Sequence, residues 1–158
     1  YGNIGKSVAK ALRALGMNVL YHDIDNSNAT LEEIFKKSKV ISIHIPAIKN
    51  NKENTSNVNL IDKKLLDLCD GAILINLATD IIVDNDDLIQ AIKSNKISGY
   101  SVEPGRKVTD KLKKYPQVHI SPCSYNSPES RENVKKIWIE NMVSALRNKP
   151  NNVWVGTK

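Results

Sequence analysis

Short apolar runs alternate along the chain with segments whose apolar residues recur at helical spacing. The runs predict strands at residues 18–22, 40–45, 72–77, 97–102 and 118–121. The helically spaced segments predict helices at residues 6–15, 61–68, 84–94 and 127–148, with another beginning at Thr30. Strands that alternate with helices, most of them apolar throughout, predict an α/β fold with a parallel sheet covered on both faces.

Two element ends carry specific local signals. Thr30 and Glu33 have the spacing of a capping box, and Gly16 is placed to end the first helix. The β-branched run VISIHI at residues 40–45 is stopped by Pro46. A continuous apolar run of this length is typical of a strand buried on both sides, so we expect a fully buried strand here.

Composition narrows the classes of protein. The 158 residues fit one domain, with 41% hydrophobic and 25% charged residues, as in soluble globular proteins. The net charge of +6 comes from scattered lysine pairs and aromatics are 5%, so we expect no nucleic-acid partner. No apolar run reaches the roughly 20 residues of a membrane span, so we expect no membrane partner. The two cysteines form no CxxC pair, which predicts no metal site, no disulfide framework and a cytoplasmic location.

The opening stretch YGNIG places two glycines ahead of the first predicted helix. Gly2 and Gly5 match the second and third glycines of the dinucleotide-binding turn, with the first expected one residue before Tyr1. Asp23 follows the next strand at the distance expected for the acid that binds a ribose hydroxyl, which favours NAD over NADP. The alternative is a pair of ordinary turn glycines. The combination favours a Rossmann-like doubly wound sheet in a three-layer α/β/α arrangement, with residues 1–158 forming an NAD-binding domain that begins after its first strand.

The chain resembles the NAD-binding domain of D-isomer-specific 2-hydroxyacid dehydrogenases over nearly its whole length. The resemblance is carried by YGNIGKSVAKALRALGMNVLYHD, VISIHIPA, GAILINLATDIIVDNDDLIQAIKSNKISGY and YPQVHISPCSYNSPES. It implies hydride transfer between nicotinamide and a 2-hydroxy or 2-oxo acid, and a homodimer in the complete protein. The family's substrate domain is absent from these residues. A first strand would lie in the middle of the sheet, so we expect these residues alone to fold poorly.

The same resemblance implies which residues contact NAD. Asn3 and Ile4 would hold the pyrophosphate, and Asp23 the adenosine ribose. His44 would line the adenine side. An equally favoured alternative is a structural histidine whose ring nitrogens are hydrogen-bonded at the end of a strand. The full set of implied cofactor contacts is Tyr1, Gly2, Asn3, Ile4, Gly5, Asp23, His44, Ile45, Pro46, Leu77, Ala78 and Thr79.

The catalytic positions depart from the family pattern. Where the family reads N-x-A-R-G-x-x-V-D, this chain reads NLATDIIVD, so Thr79 takes the place of the substrate-binding arginine. Cys123 takes the place of the acid/base histidine. A threonine lacks the guanidinium fork, and a thiol is a poor substitute for imidazole at neutral pH.

Glu103 is the remaining catalytic candidate. Counting forward from Gly99 places it at the family's strand-end acid, whereas counting back from Pro122 places it at the catalytic glutamate, which the onward spacing favours. Three hypotheses follow: an NAD-dependent oxidoreductase, a degraded NAD(H)-binding module that senses the cofactor or serves in assembly, and a domain that neither binds nor reacts.

Overall fold

Four parallel strands form the sheet of this protein. The computed structural model describes residues 1–48, 56–103, 110–121 and 127–149, in two compact units, Tyr1–Pro122 and Cys123–Lys158. The strands of the first unit are β1 (Val40–Ile43), β2 (Ala72–Asn76), β3 (Ile97–Val102) and β4 (Val118–Ile120), in the spatial order β1-β2-β3-β4. All three neighbouring pairs are parallel, with Leu74 opposite both Ile41 and Tyr100. The predicted α/β class and parallel sheet are confirmed.

Two helices precede β1 in the first unit, one helix lies between β1 and β2, and another lies between β2 and β3. They are α1 (Asn3–Ala14), α2 (Leu31–Lys37), α3 (Lys63–Leu66) and α4 (Asn85–Lys93), with 3₁₀ turns at Asp80–Ile82 and Leu112–Lys114. The second unit contains α5 (Pro128–Leu146), where Ser127 accepts a hydrogen bond from the Ser130 amide. Within the described ranges no helix has the length and apolar character needed to cross a membrane.

One face of the sheet carries the core. Leu74, Ile97, Tyr100 and Val102 are at most 2% exposed and pack with Phe35 of α2. The apolar sides of α3 and α4, which include Leu66 and Leu88, close over the same face. Alternate residues of β1 and β2 point to this face, as the two-residue period of a strand requires. In β3 a register shift opposite Ala72 and Ile73 interrupts the alternation, so Ile97 and Tyr100 are both buried.

The prediction that 40–45 is a fully buried strand is wrong. The strand ends at Ile43, and its residues alternate between exposed and buried. Val40 lies opposite Ile73 on the second face of the sheet, and these side chains are 42% and 43% exposed. No helix described within Tyr1–Pro122 closes over them, which leaves β1 buried on one side only.

The prediction of a strand at residues 18–22 is also wrong. The segment is extended but belongs to no ladder of the described sheet. Its apolar residues have strand character, yet a strand exists only where a second backbone pairs with it. The Tyr21 backbone instead exchanges hydrogen bonds with Asn28, at 2.7 and 3.1 Å.

The helix ends were predicted more accurately than the two strands at residues 18–22 and 40–45. Thr30 and Glu33 form the complete capping box at the start of α2. Asp62 caps α3, which is shorter than the predicted 61–68 because Ile61 pairs with Val83 in an isolated parallel bridge. The first helix begins at Asn3, three residues earlier than predicted, with Gly2 at its N-cap.

Gly16 ends α1 in a left-handed conformation with φ +81°. The Gly16 amide donates to Arg13 O at 2.9 Å and the Met17 amide to Leu12 O at 3.1 Å. These two bonds form a Schellman motif, which satisfies the last carbonyls of the helix. A residue with a Cβ is strained at this φ whatever the space around it.

We predict that Gly16→Ala destabilises the end of α1 by about 1 kcal/mol, which accelerates amide exchange at Leu15 and Met17 about fivefold. Gly16→Asn is the matched control, because asparagine tolerates the left-handed region better than other residues. Amide hydrogen exchange measures both variants. Equal exchange rates in the alanine variant and the wild type would contradict this account of the helix end.

Candidate dinucleotide site

The glycine turn presents the amino end of α1 to open space. Gly2 is the N-cap of α1, and because glycine has no side chain it makes no side-chain capping bond. The first turn contains no acidic residue, and a Cβ added at Gly2 would meet no atom within 4 Å. The amides of Asn3 and Ile4 therefore lie among the first-turn donors that have no partner within the helix. Such a helix end favours an anionic group by its dipole and its donors.

Asp23 lies across a small pocket from this turn. The pocket has a volume of about 200 Å³ and is lined by Tyr1, Gly2, Lys6, Asp23, Asp25 and Asn26. Asp23 is held by its own loop, since its amide donates to Ser27 Oγ at 3.0 Å and Ser27 Oγ donates to its carbonyl at 2.8 Å. One carboxylate oxygen contacts the amino nitrogen of Tyr1. The fold thus brings the predicted phosphate turn and the predicted ribose acid to one pocket.

Tyr1 also takes part in an aromatic stack at this end of the domain. Its ring stacks on Tyr21 with centroids 3.8 Å apart, and its hydroxyl accepts a hydrogen bond from Arg13 at 2.8 Å. The stack joins α1 to the extended segment that leads to Asp23. It helps fix the distance between the helix end and the acid.

His44 and Ile45 follow β1 and lie near the same helix. A Cβ added at Gly5 would be 3.9 Å from the His44 Cβ, an ordinary van der Waals contact. His44 Nε2 is 2.9 Å from Ser42 Oγ. Partial burial, and then the positive charge of the chain's amino group, lower the pKa of His44, which favours the neutral ring. Pro46 is exposed, and its carbonyl accepts from Asn57 Nδ2 at 2.6 Å.

A buried amide side chain organises the loop after β2. Asn76 is 0% exposed, and its Nδ2 donates to Thr79 O at 2.8 Å and to Tyr100 Oη at 3.3 Å. The Ala78 amide donates to Asn76 Oδ1 at 3.0 Å. Asn76 therefore fixes the shape of the segment that contains Leu77, Ala78 and Thr79. The candidate site residues did not include it, although a lone asparagine ending an apolar strand was the available signal.

Thr79 and Asp80 determine the chemistry of the loop after β2. Thr79 Oγ1 is buried and has no hydrogen-bond partner. The adjacent Asp80 is 9% exposed. Burial raises the pKa of Tyr100 to about 12, the hydrogen bond from Asn76 lowers it, and the charge of Asp80 raises it. At Thr79 and Asp80 the loop therefore offers a hydroxyl and a carboxylate.

Glu103 lies at the same edge of the sheet as this loop. It follows β3 directly, and its amide donates to Asn76 O at 3.2 Å, which continues the β2–β3 ladder by one residue. Its side chain is half-buried. The Glu103 backbone is thus fixed beside the end of β2. Cys123, the other candidate, lies outside the described residues.

The predicted site residues fall into two groups. The first group surrounds α1 and consists of Tyr1, Gly2, Gly5, Asp23, His44 and Ile45, which line two adjoining cavities. The second group follows β2 and β3 and consists of Leu77, Ala78, Thr79 and Glu103. Neither this group nor Asn3, Ile4 and Pro46 lines those cavities. Lys6, Asp25 and Asn26 line the smaller pocket and were not predicted.

Comparison with known proteins places the chain in a family. Residues 1–123 match the model of the D-isomer specific 2-hydroxyacid dehydrogenase, NAD binding domain. The D-3-phosphoglycerate dehydrogenase of Haemophilus influenzae is 33% identical over 151 residues, which cover 85% of this chain and 36% of that protein. The glycerate dehydrogenase of Methylorubrum extorquens is 32% identical over 165 residues, covering 97% and 50%.

Solved structures agree on the fold. The NAD-complexed D-isomer specific 2-hydroxyacid dehydrogenase from Lactobacillus delbrueckii ssp. bulgaricus matches with a TM-score of 0.78 over 98% of this chain and 53% of that one, at 23% identity. An acyclic imino acid reductase in complex with NADPH and D-Arg matches with a TM-score of 0.75 at 29% identity, covering 98% and 51%. The first of these similarities shows the Rossmann fold alone.

The chain belongs to the D-isomer specific 2-hydroxyacid dehydrogenases, and most of it is the family's NAD-binding domain. The chain spans 36% to 37% of the length of the three phosphoglycerate dehydrogenases that it matches. NAD is the cofactor of this domain. The open space at Gly2, the free first-turn amides and the carboxylate of Asp23 fit that cofactor.

Proposed function

We propose that this chain is the cofactor-binding part of an oxidoreductase that moves hydride between nicotinamide and a 2-hydroxy or 2-oxo acid. The pocket that joins the Gly2 turn to Asp23 is the observation that carries the proposal. NAD supplies the hydride acceptor for the hydroxy acid, and NADH supplies the donor for the oxo acid. Family membership supplies the class of reaction.

Within this proposal the chain's residues have separate tasks. The amides of Asn3 and Ile4 bind the diphosphate, and Asp23 accepts hydrogen bonds from the adenosine ribose. The half-buried side chains of His44 and Ile45, together with the exposed ring of Pro46, line the adenine side. Asn76 holds Leu77, Ala78 and Thr79 in one conformation for the nicotinamide ribose. Glu103, whose position directly after β3 supports the strand-end count, places a carboxylate at the cleft.

The first prediction from this proposal concerns cofactor choice. Asp23→Asn removes the charge but keeps the side-chain shape. Because a hydrogen bond to a charged acceptor is worth about 1.5–3 kcal/mol, we expect the Kd for NADH to rise about tenfold or more. The preference for NADH over NADPH should also fall, since the carboxylate that repels a 2′-phosphate is gone. Fluorescence titration of the complete protein with both nucleotides measures this.

Asp25→Asn is the matched control for that experiment. Asp25 lines the same pocket but is exposed, so removing its charge should change NADH affinity no more than about twofold. Unchanged NADH affinity in Asp23→Asn would contradict the assignment of Asp23, and equal losses in both variants would show a general charge effect.

The loop after β2 favours a second candidate function, an NAD(H)-binding module without the family's catalysis. Its support is the buried, unpartnered hydroxyl of Thr79 together with the Asp80 carboxylate beside it. A substrate carboxylate would meet no guanidinium at this position, and an anion would be repelled by Asp80. Cys123 in place of the acid/base histidine supports the same candidate.

The second prediction separates these two functions. The complete protein, given NADH and a panel of 2-oxo acids, should turn over at least one acid. The double variant Thr79→Arg with Cys123→His should raise turnover about 100-fold, the scale of a restored general acid. Adding Asp80→Gly should raise it further, because the Asp80 carboxylate would otherwise pair with the new guanidinium. Stopped-flow absorbance of NADH follows all three proteins.

Each outcome of that series is informative. A wild type that binds NADH but turns over no acid favours the binding module. A rate that is identical in the wild type and the variants would show that residues other than positions 79 and 123 carry the chemistry. Flat NADH titrations throughout would contradict both candidates.

We further propose that the complete protein has a strand ahead of Tyr1 and a substrate domain, since the matched relatives are two to three times longer than this chain. The small 2-hydroxy or 2-oxo acid would bind between the two domains. We expect the complete protein to be a homodimer located in the cytoplasm. The buried thiol of Cys69, whose pKa burial raises to about 11, is compatible with a reducing compartment.

A further inference from the structure

A phenol hydroxyl lies inside the core of the sheet, on Tyr100 of β3. The Tyr100 side chain is 2% exposed and belongs to the same core cluster as Leu74, the residue opposite it on β2. A phenylalanine would fill nearly the same space without bringing a polar atom into an apolar environment. A buried polar atom costs free energy unless it is hydrogen-bonded, so the hydroxyl needs a partner.

That partner is the buried side-chain amide of Asn76. Its Nδ2 carries two hydrogens, of which one is donated to Thr79 O at 2.8 Å and the other to Tyr100 Oη at 3.3 Å. Its Oδ1 accepts from the Ala78 amide at 3.0 Å. Asn76 is 0% exposed, so bulk water cannot replace a bond that the amide loses. Tyr100 therefore supplies the last acceptor that this amide needs.

Tyr100 is held in place from a neighbouring strand. In the described sheet β3 lies between β2 and β4, and the Tyr100 amide donates to Gln117 O at 3.0 Å just before β4. Burial raises the pKa of Tyr100 to about 12, so its hydroxyl stays protonated and neutral near pH 7. A neutral acceptor in a fixed position is thereby kept beside the loop that follows β2.

The bond to Tyr100 also favours one orientation of the Asn76 amide. Turning the amide by half a rotation would point its Nδ2 at the Ala78 N–H and its Oδ1 at Thr79 O, so both bonds to the loop would be lost. In the observed orientation both amide hydrogens are paired. Without the Tyr100 hydroxyl one of them would be buried and unpaired, which would bring other loop conformations closer in free energy.

We propose that Tyr100 is a positioning residue for the nicotinamide half of the cofactor, and that it acts through Asn76 on residues 77–79. This role rests on the proposed function, which assigns residues 77–79 to the nicotinamide ribose. The adenosine and the diphosphate are assigned to Asp23 and the turn before α1, and neither Tyr100 nor Asn76 lines that pocket. Tyr100 therefore affects one half of the dinucleotide and leaves the other half unchanged.

Tyr100→Phe in the complete protein tests this role with two ligands, NADH and ADP. ADP has the adenosine and the diphosphate but lacks the nicotinamide and its ribose. Because one buried amide hydrogen of Asn76 loses its acceptor, we expect the Kd for NADH to rise about fivefold. The Kd for ADP should change by less than about twofold, since its binding residues lie elsewhere. Isothermal titration calorimetry measures both constants and needs no turnover.

Tyr115→Phe is the matched control. Tyr115 packs against the same core, and within the part of the chain that the structure describes its hydroxyl makes no hydrogen bond. Removing this hydroxyl should leave the Kd for NADH and the Kd for ADP unchanged. A general loss of stability would not distinguish the two ligands, so the selective loss of NADH affinity identifies a positioning role.

A double-variant cycle tests whether Tyr100 acts through Asn76. Asn76→Ala removes the amide and should raise the Kd for NADH at least as much as Tyr100→Phe does. Adding Tyr100→Phe to Asn76→Ala should cause no further rise, because the hydroxyl then has no amide to accept from.

The outcomes separate this role from the proposed function. Equal losses of NADH and ADP affinity in Tyr100→Phe, or an unchanged Kd for NADH, would overturn the positioning role. The same NADH loss in Tyr115→Phe would overturn it too, as would additive effects of the substitutions at positions 76 and 100. A wild-type protein that binds neither NADH nor ADP would instead contradict the proposed function, and the positioning role would fall with it.

Discussion

The parallel direction of the strands is the constraint on which this structure depends. Parallel hydrogen bonding sends every carboxyl end to the same edge of the sheet, and ligands of open α/β sheets bind outside that edge. His44 follows β1, Thr79 lies in the loop after β2, and Glu103 follows β3. Residues far apart in sequence are thereby placed at one edge. The Glu103 amide bonded to Asn76 O shows how closely two of these ends are held.

The positions of most elements follow from information within a few residues. Thr30 with Glu33 and the left-handed Gly16 act on their own helix ends, so sequence alone identifies them. The β-branched runs of β2 and β3 lie in the strand cores, and their parallel pairing follows from the helices between them. Such features need no knowledge of distant contacts.

The features that the sequence did not predict depend on contacts with residues far away in the chain. The apolar pattern of residues 18–22 predicts a strand, but pairing requires an adjacent backbone that local pattern does not reveal. Burial of β1 on its second face likewise depends on which helix covers Val40. Asn76 reads as one polar residue at the end of an apolar run, and its role emerges only from its contacts with Thr79 and Tyr100.

The two groups of candidate residues differ in their chemistry. Around α1, the glycine turn and Asp23 share one pocket and fit NAD. After β2, Asn76 keeps the loop in place, and Thr79 and Asp80 present a hydroxyl and a carboxylate there. The two groups of residues follow different elements of the fold, so substitutions in one group can be made without altering the other.

The most direct measurement of this account is a crystal structure of the complete protein with NADH. The account predicts that the diphosphate contacts the Asn3 and Ile4 amides and that the adenosine ribose hydroxyls donate to Asp23. A nucleotide bound elsewhere, with the helix end and Asp23 untouched, would contradict it.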